Sequence, residues 1–103
     1  MQPLKGAKGF QWDDGNADKN WLKHRVTRSE CEQVFFHCPL VVGEAPRRAG
    51  GEVRFYALGR TDGGRRLFLV FTLRGDLLRV ISARDMSDRE RKEYEHGEAK
   101  SRS

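Results

Sequence analysis

The chain has 103 residues, enough for one small domain. Twenty Lys and Arg against fifteen Asp and Glu leave a net charge of +5, which favours polyanionic partners: nucleic acid, an anionic membrane or an acidic protein. No apolar run approaches the ~20 residues of a membrane span, and the opening MQPLKGAKGF lacks the apolar region of a signal peptide. Cys31 and Cys38, with the scattered His24, His37 and His96, make no zinc-ligand spacing.

In chain order, residues 1–9 read as a flexible N-terminal segment. Phe10-Gln11-Trp12 alternates apolar and polar and starts a strand. Asp13-Asp14-Gly15-Asn16 offers caps for a short helix from Ala17 to His24, anchored by Trp21 and Leu22. Thr27-Arg28-Ser29-Glu30 fits a capping box, with Val26 and Cys31 placed for a hydrophobic staple. Cys31, Val34, Phe35 and Cys38 recur at helical spacing, and Pro39 stops that helix. On one helix the two cysteines are about 10 Å apart by rise, beyond disulfide reach. They read as buried thiols in a reducing cytoplasm.

Leu40-Val41-Val42 suggests an edge strand, followed by a loop with Pro46, Arg47 and Arg48. A three-stranded meander follows, over Glu52–Arg60, Leu67–Leu73 and Leu77–Ala83, with turns at Asp62-Gly63-Gly64 and Arg74-Gly75-Asp76. The almost unbroken LFLVFTL predicts a central strand covered on both faces. Ser87-Asp88-Arg89-Glu90 is a second capping box, opening a helix to about Glu95 with Gly97 as its C-terminal cap. The expected fold is α+β: strand, helix, helix, three-stranded meander, helix, with the helices packed on a small antiparallel sheet. One domain spans 10–96, and 97–103 is a flexible tail.

Several strings in this order resemble the BrnT toxins of bacterial type II toxin–antitoxin systems. They are Trp12-Asp13, Asn20 with Lys23-His24, Val34-Phe35 before Pro39, Glu52-x-Arg54 leading to Gly59, LVFTLRG, Arg79-Val80-Ile81-Ser82-Ala83-Arg84, and Glu90-Arg91-x-x-Tyr94. The resemblance implies a RelE-like ribonuclease fold and a toxin that cleaves RNA and stops translation. It also implies a ribbon-helix-helix antitoxin of the BrnA kind, with promoter DNA reached only through that antitoxin. The expected location is the cytoplasm, with no membrane association. Two departures stand out. Relatives usually carry glycine after Lys-His, where this chain has Arg25, and a His-Ser pair before Glu-x-Arg, where it has Arg47-Arg48-Ala49-Gly50.

RNA brings its own nucleophile, the 2′-hydroxyl, so cleavage needs a base, fixed cations and an acid, with no metal or other cofactor required. Arginine suits the cationic task, being always charged and matching phosphate with a planar fork of donors. The candidate catalytic residues are Arg54, Arg79, Arg84, Glu52 and His24. Glu52 reads either as a base or as an orienter of Arg54. His24 reads either as an acid–base group or as a partner of the last helix carbonyls. Lys23, Arg47, Arg48 and Tyr94 are candidate RNA contacts, with core packing the competing role for Tyr94. Arg79 and Arg84 differ by five, so an uninterrupted strand points them to opposite faces. They share a surface only if the strand ends or bulges between them. The alternative to an endonuclease is a non-catalytic basic module acting as corepressor with the antitoxin.

Overall fold

The structure, a computed structural model, describes residues 7–13, 15–16, 24–46 and 51–102. The elements in order are β1 (Gly9–Phe10), α1 (Arg28–Val34), β2 (Val41–Ala45), β3 (Arg54–Arg60), β4 (Arg66–Arg74), β5 (Leu77–Asp85) and α2 (Asp88–Arg102). They form one five-stranded sheet in the order β1-β5-β4-β3-β2, antiparallel except where β1 runs parallel to β5. The expected meander is thus extended by β2 on one side and β1 on the other. The short helix expected before His24 lies, apart from its last residue, outside the described residues.

The two capping boxes form. The Glu30 amide donates to Thr27 Oγ1 (3.0 Å), and the Thr27 amide donates back to Glu30 Oε1 (3.0 Å). The Ser87 amide donates likewise to Glu90 Oε1 (2.8 Å). α1 is shorter than its apolar spacing predicts. The Phe35 and Phe36 amides donate to the Glu32 and Gln33 carbonyls, tightening the last turn to i→i−3 bonds that close the helix. Cys38 therefore lies beyond the helix and is exposed, whereas Cys31 is buried as expected. α2 runs on through Gly97, where the sequence suggests a cap. Glu95 and Glu98 reach back to Arg66 (3.6 and 2.8 Å) and hold the extra turns against the sheet.

One sheet face is apolar through its middle, with Glu44 and Asp85 at its rims. Ala57, Leu67, Leu69, Phe71, Leu78, Val80 and Ala83 pack there against Val26, Cys31 and Val34. Phe35 meets Phe71 edge-on, with centroids 5.4 Å apart. α1 comes so close that a Cβ on Gly59 would lie 2.5 Å from Val34 Cγ1, so the residue under the helix end must be glycine. The opposite face carries a smaller core of Leu58, Met86 and Tyr94 under α2. α2 covers only the end of that face nearest Arg60 and Arg66.

An arginine-bearing sheet face as candidate functional site

Strand alternation and pairing decide which side chains share a face. On β3 the residues alternating with Leu58 are Arg54, Tyr56 and Arg60; on β4 those alternating with Phe68 are Arg66, Val70, Thr72 and Arg74. On β5, Arg79 pairs with Thr72 and Arg84 pairs with Phe68. Every arginine of these three strands therefore lies on the face opposite α1. The parity problem of Arg79 and Arg84 is resolved by a bulge. Val80 pairs with Phe71 and Ser82 with Val70, leaving Ile81 as the extra residue. Without it, one of the two arginines would point into the apolar core.

The bulge has a side-chain partner. Buried Asn16 donates from Nδ2 to the Val80 carbonyl (3.1 Å) and to the Gln11 carbonyl (3.1 Å), while its Oδ1 accepts from the Asp13 amide (2.7 Å). Asp13 in turn accepts from the Gly15 amide and from Arg79, whose Nη1 donates to Oδ2 at 2.8 Å. Gln11 Oε1 takes a further Arg79 bond (3.3 Å). The Arg79 guanidinium holds the Asp13 carboxyl below the ordinary carboxylate range. Asp13 itself is more than half exposed, so the pair is a positioning contact open to exchange. The sequence suggested only helix caps at Asp13 and Asn16, because their partner at Val80 is 64 residues away.

Arg84 is set by the second capping box. Its two Nη groups donate to Glu90 Oε1 and Oε2 (2.8 and 2.9 Å), a bidentate pair, and its guanidinium lies 4.3 Å from the centroid of the Phe68 ring. Partial burial opposes the charge on Glu90, but Arg84 and the Ser87 amide outweigh it and keep its pKa low. Arg74 pairs with Glu52 at 3.4 Å. Arg54 has no ion-pair partner among the described residues. Glu52 precedes β3, is exposed, and is close enough to raise the pKa of Arg79 alongside Asp13. The structure therefore brings Arg54, Arg79 and Glu52 to one end of the open face, with Arg84 further along it.

Two candidates do not join them. The His24 carbonyl accepts from Arg65 Nη2 (3.2 Å), and its side chain acts on Asp85, beside the N-terminus of α1 and at the far end of β4 and β5. Tyr94 is fully buried and donates its hydroxyl to the Pro39 carbonyl (3.0 Å), so it is a core residue with no surface for a base. Lys23, Arg47 and Arg48 lie outside the described residues. The sequence also missed Arg65. It spans Asp85 (2.8 Å), Glu30 (3.3 Å) and the Arg25 carbonyl (2.7 Å), tying β4, β5 and α1 together. Among the described residues no group of His, Cys, Asp or Glu is arranged to hold a metal ion, and no helix is long and apolar enough to cross a membrane.

A basic α+β domain with one apolar, helix-covered sheet face and arginines along the other has the charge distribution expected of a nucleic-acid-binding protein. Its fold is similar to the crystal structure of the Brucella abortus ribonuclease toxin BrnT, with a TM-score of 0.54 at 22% identity, covering 80% of this chain and 100% of that one. No curated protein matches the sequence. The family model for BrnT, the ribonuclease toxin of type II toxin–antitoxin systems, matches residues 12–90, and this chain belongs to that family.

Proposed function

We propose that this chain is an RNA endonuclease that works on its arginine face without a metal, stops translation in the cytoplasm, and is silenced by a ribbon-helix-helix antitoxin laid over that face. RelE-like architecture accords with a helix-backed, mostly antiparallel sheet whose second face is left open at the Arg54 and Arg79 end. The observation that carries the reading is the bulge at Ile81, which turns Arg79 and Arg84 to the face that also bears Arg54.

In this reading Arg54 and Arg79, on strands either side of β4 and ~10 Å apart at the backbone, flank the scissile phosphate and stabilise the charge that builds on it. Glu52, exposed beside both, takes the 2′-hydroxyl proton, the 2′-oxygen displaces the 5′-oxygen at phosphorus, and solvent water protonates the 5′-oxygen as it leaves. Fixed cations aimed at developing charge are commonly the largest catalytic contribution. Arg84, ~15 Å further along β5 by strand rise, holds a neighbouring phosphate instead of the same one. Asp13 and Glu90 hold Arg79 and Arg84 in place until phosphate replaces them.

Purified protein should cleave RNA in EDTA and leave a 2′,3′-cyclic phosphate or the 3′-phosphate derived from it. Arg79→Ala should lower the rate about 100-fold, by analogy with a lost oxyanion-hole donor. Arg79→Lys should retain RNA binding while losing much of the rate, because the fork of donors is gone. Activity that disappears on chelation and returns with Mg²⁺ would reject the metal-free mechanism. A protein that binds antitoxin and operator but never cuts RNA would favour the corepressor alternative.

A further inference from the structure

A cleft of about 460 Å³ opens on the arginine face between the first two turns of α2 and strands β2 to β4. Its size falls within the ~300–1,000 Å³ of small-ligand sites. Tyr56, Leu58 and Phe68 line the sheet side, and Arg89, Glu90 and Glu93 line the helix side. The Tyr56 and Phe68 rings are nearly parallel, 16° apart in plane with centroids separated by 6.1 Å. Tyr56 lies directly over Gly43 of the edge strand, where a Cβ would come within 2.4 Å of the ring. The glycine thus lets the ring settle onto the sheet. Arg84 lies over the Phe68 ring and occupies that face of it, so the ring left for a ligand in the cleft is Tyr56.

This lining discriminates between the parts of a nucleotide. Glu93 repels phosphate from the helix side, yet as an acceptor it suits the N–H groups of a base edge; Glu90 is occupied by Arg84 and the Ser87 amide. Tyr56 offers the flat apolar ring on which an unpaired base stacks. The phosphate-binding groups, Arg84 and the arginines beyond it, lie on the same face just outside the cleft. We infer that the cleft is a nucleobase subsite: it takes one unpaired base of the RNA onto the Tyr56 ring while Arg84, lying over Phe68 beside it, holds that nucleotide's phosphate. This rests on the arginine face being the RNA-binding surface, and it narrows the substrate to single-stranded RNA.

The test uses the full chain and a short 2′-O-methyl oligoribonucleotide, which lacks the attacking hydroxyl, followed by fluorescence anisotropy. Tyr56→Leu, which keeps Gly43 covered, should weaken single-strand binding by roughly 5- to 150-fold, the span of one lost base–aromatic stack. It should leave binding of a duplex of the same length unchanged. Tyr56→Phe should bind as the parent does. Arg54→Ala should weaken both single strand and duplex. Wild-type affinity for the single strand in a folded Tyr56→Leu protein, with Arg54→Ala impaired, overturns the base subsite and leaves the RNA-binding face intact. Equal loss for single strand and duplex in Tyr56→Leu also overturns it, since a stacked base is absent from the duplex contact. No RNA binding by the parent chain overturns the subsite and the face together.

Discussion

At the scale of single residues, the arginines of the sheet are aimed by the carboxylates that hold them, Asp13 for Arg79 and Glu90 for Arg84. The arginines were marked by type and by their density near the end of the sheet, and Glu30 and Glu90 by capping-box spacing, which is local and so legible. What was not legible were partners distant in sequence: Asp13 for Arg79, and Asn16 for the bulge carbonyl. Arg25 shows the limit of a residue-type rule. A left-handed turn costs arginine more than glycine, yet Arg25 keeps φ at +56°, with its carbonyl taken up by Arg65. The tertiary contact outweighs the local steric cost, about 1–2 kcal/mol for a side chain in that region. Gly59 makes the opposite point, since nothing local required a glycine in the strand. Gly59→Ala should destabilise the fold by about 1–3 kcal/mol through overpacking against Val34. A thermal melt should show a fall of several degrees; an unchanged melt would mean that α1 is free to shift away.

At the scale of elements, strand periods were read well and ends poorly. β3, β4 and β5 appear close to their expected ranges, and β2 is the edge strand suggested by Leu40-Val41-Val42. α1 stops early and α2 runs late because backbone turns and the Arg66 pairs, not apolar spacing, set those limits. The joints between elements are carboxylate-dependent, and this gives a pH prediction. The Arg65 guanidinium keeps Asp85 below its ordinary 3.8. Burial works against the charge on Glu30, but the Thr27 amide and Arg65 bring it below 4.5; Glu90 is lowered in the same way by Arg84. A carboxylate with a depressed folded pKa contributes stability above its unfolded value and loses it as pH falls through the folded one. The melting temperature should hold steady from pH 7 to about 5 and drop below about 4. Arg65→Met should lower the melt at pH 7 and flatten the acid slope. An acid slope equally steep in Arg65→Met would place the pH-sensitive joint elsewhere.

At the scale of the whole molecule, the sheet separates two tasks. One face is apolar and holds α1; the other carries all six arginines of β3, β4 and β5, namely Arg54, Arg60, Arg66, Arg74, Arg79 and Arg84. Arg60 and Arg66 are occupied with the Cys38 carbonyl and with Glu98, and Arg84 with Glu90 of α2, which leaves Arg54, Arg74 and Arg79 at the open end. The central claim is that this open end is the toxin's working surface and not a solvated charged face. Exposed ion pairs such as Arg79–Asp13 contribute little to stability, so function and folding are separable there. The most direct measurement pairs growth arrest with thermal melting for Arg54→Ala and Arg79→Ala, each expressed without antitoxin. The account predicts that both variants lose growth arrest while melting within about 4 °C of the parent, the shift expected for ~1 kcal/mol in a domain this size. Full growth arrest from both variants, at unchanged melting temperature, would contradict it.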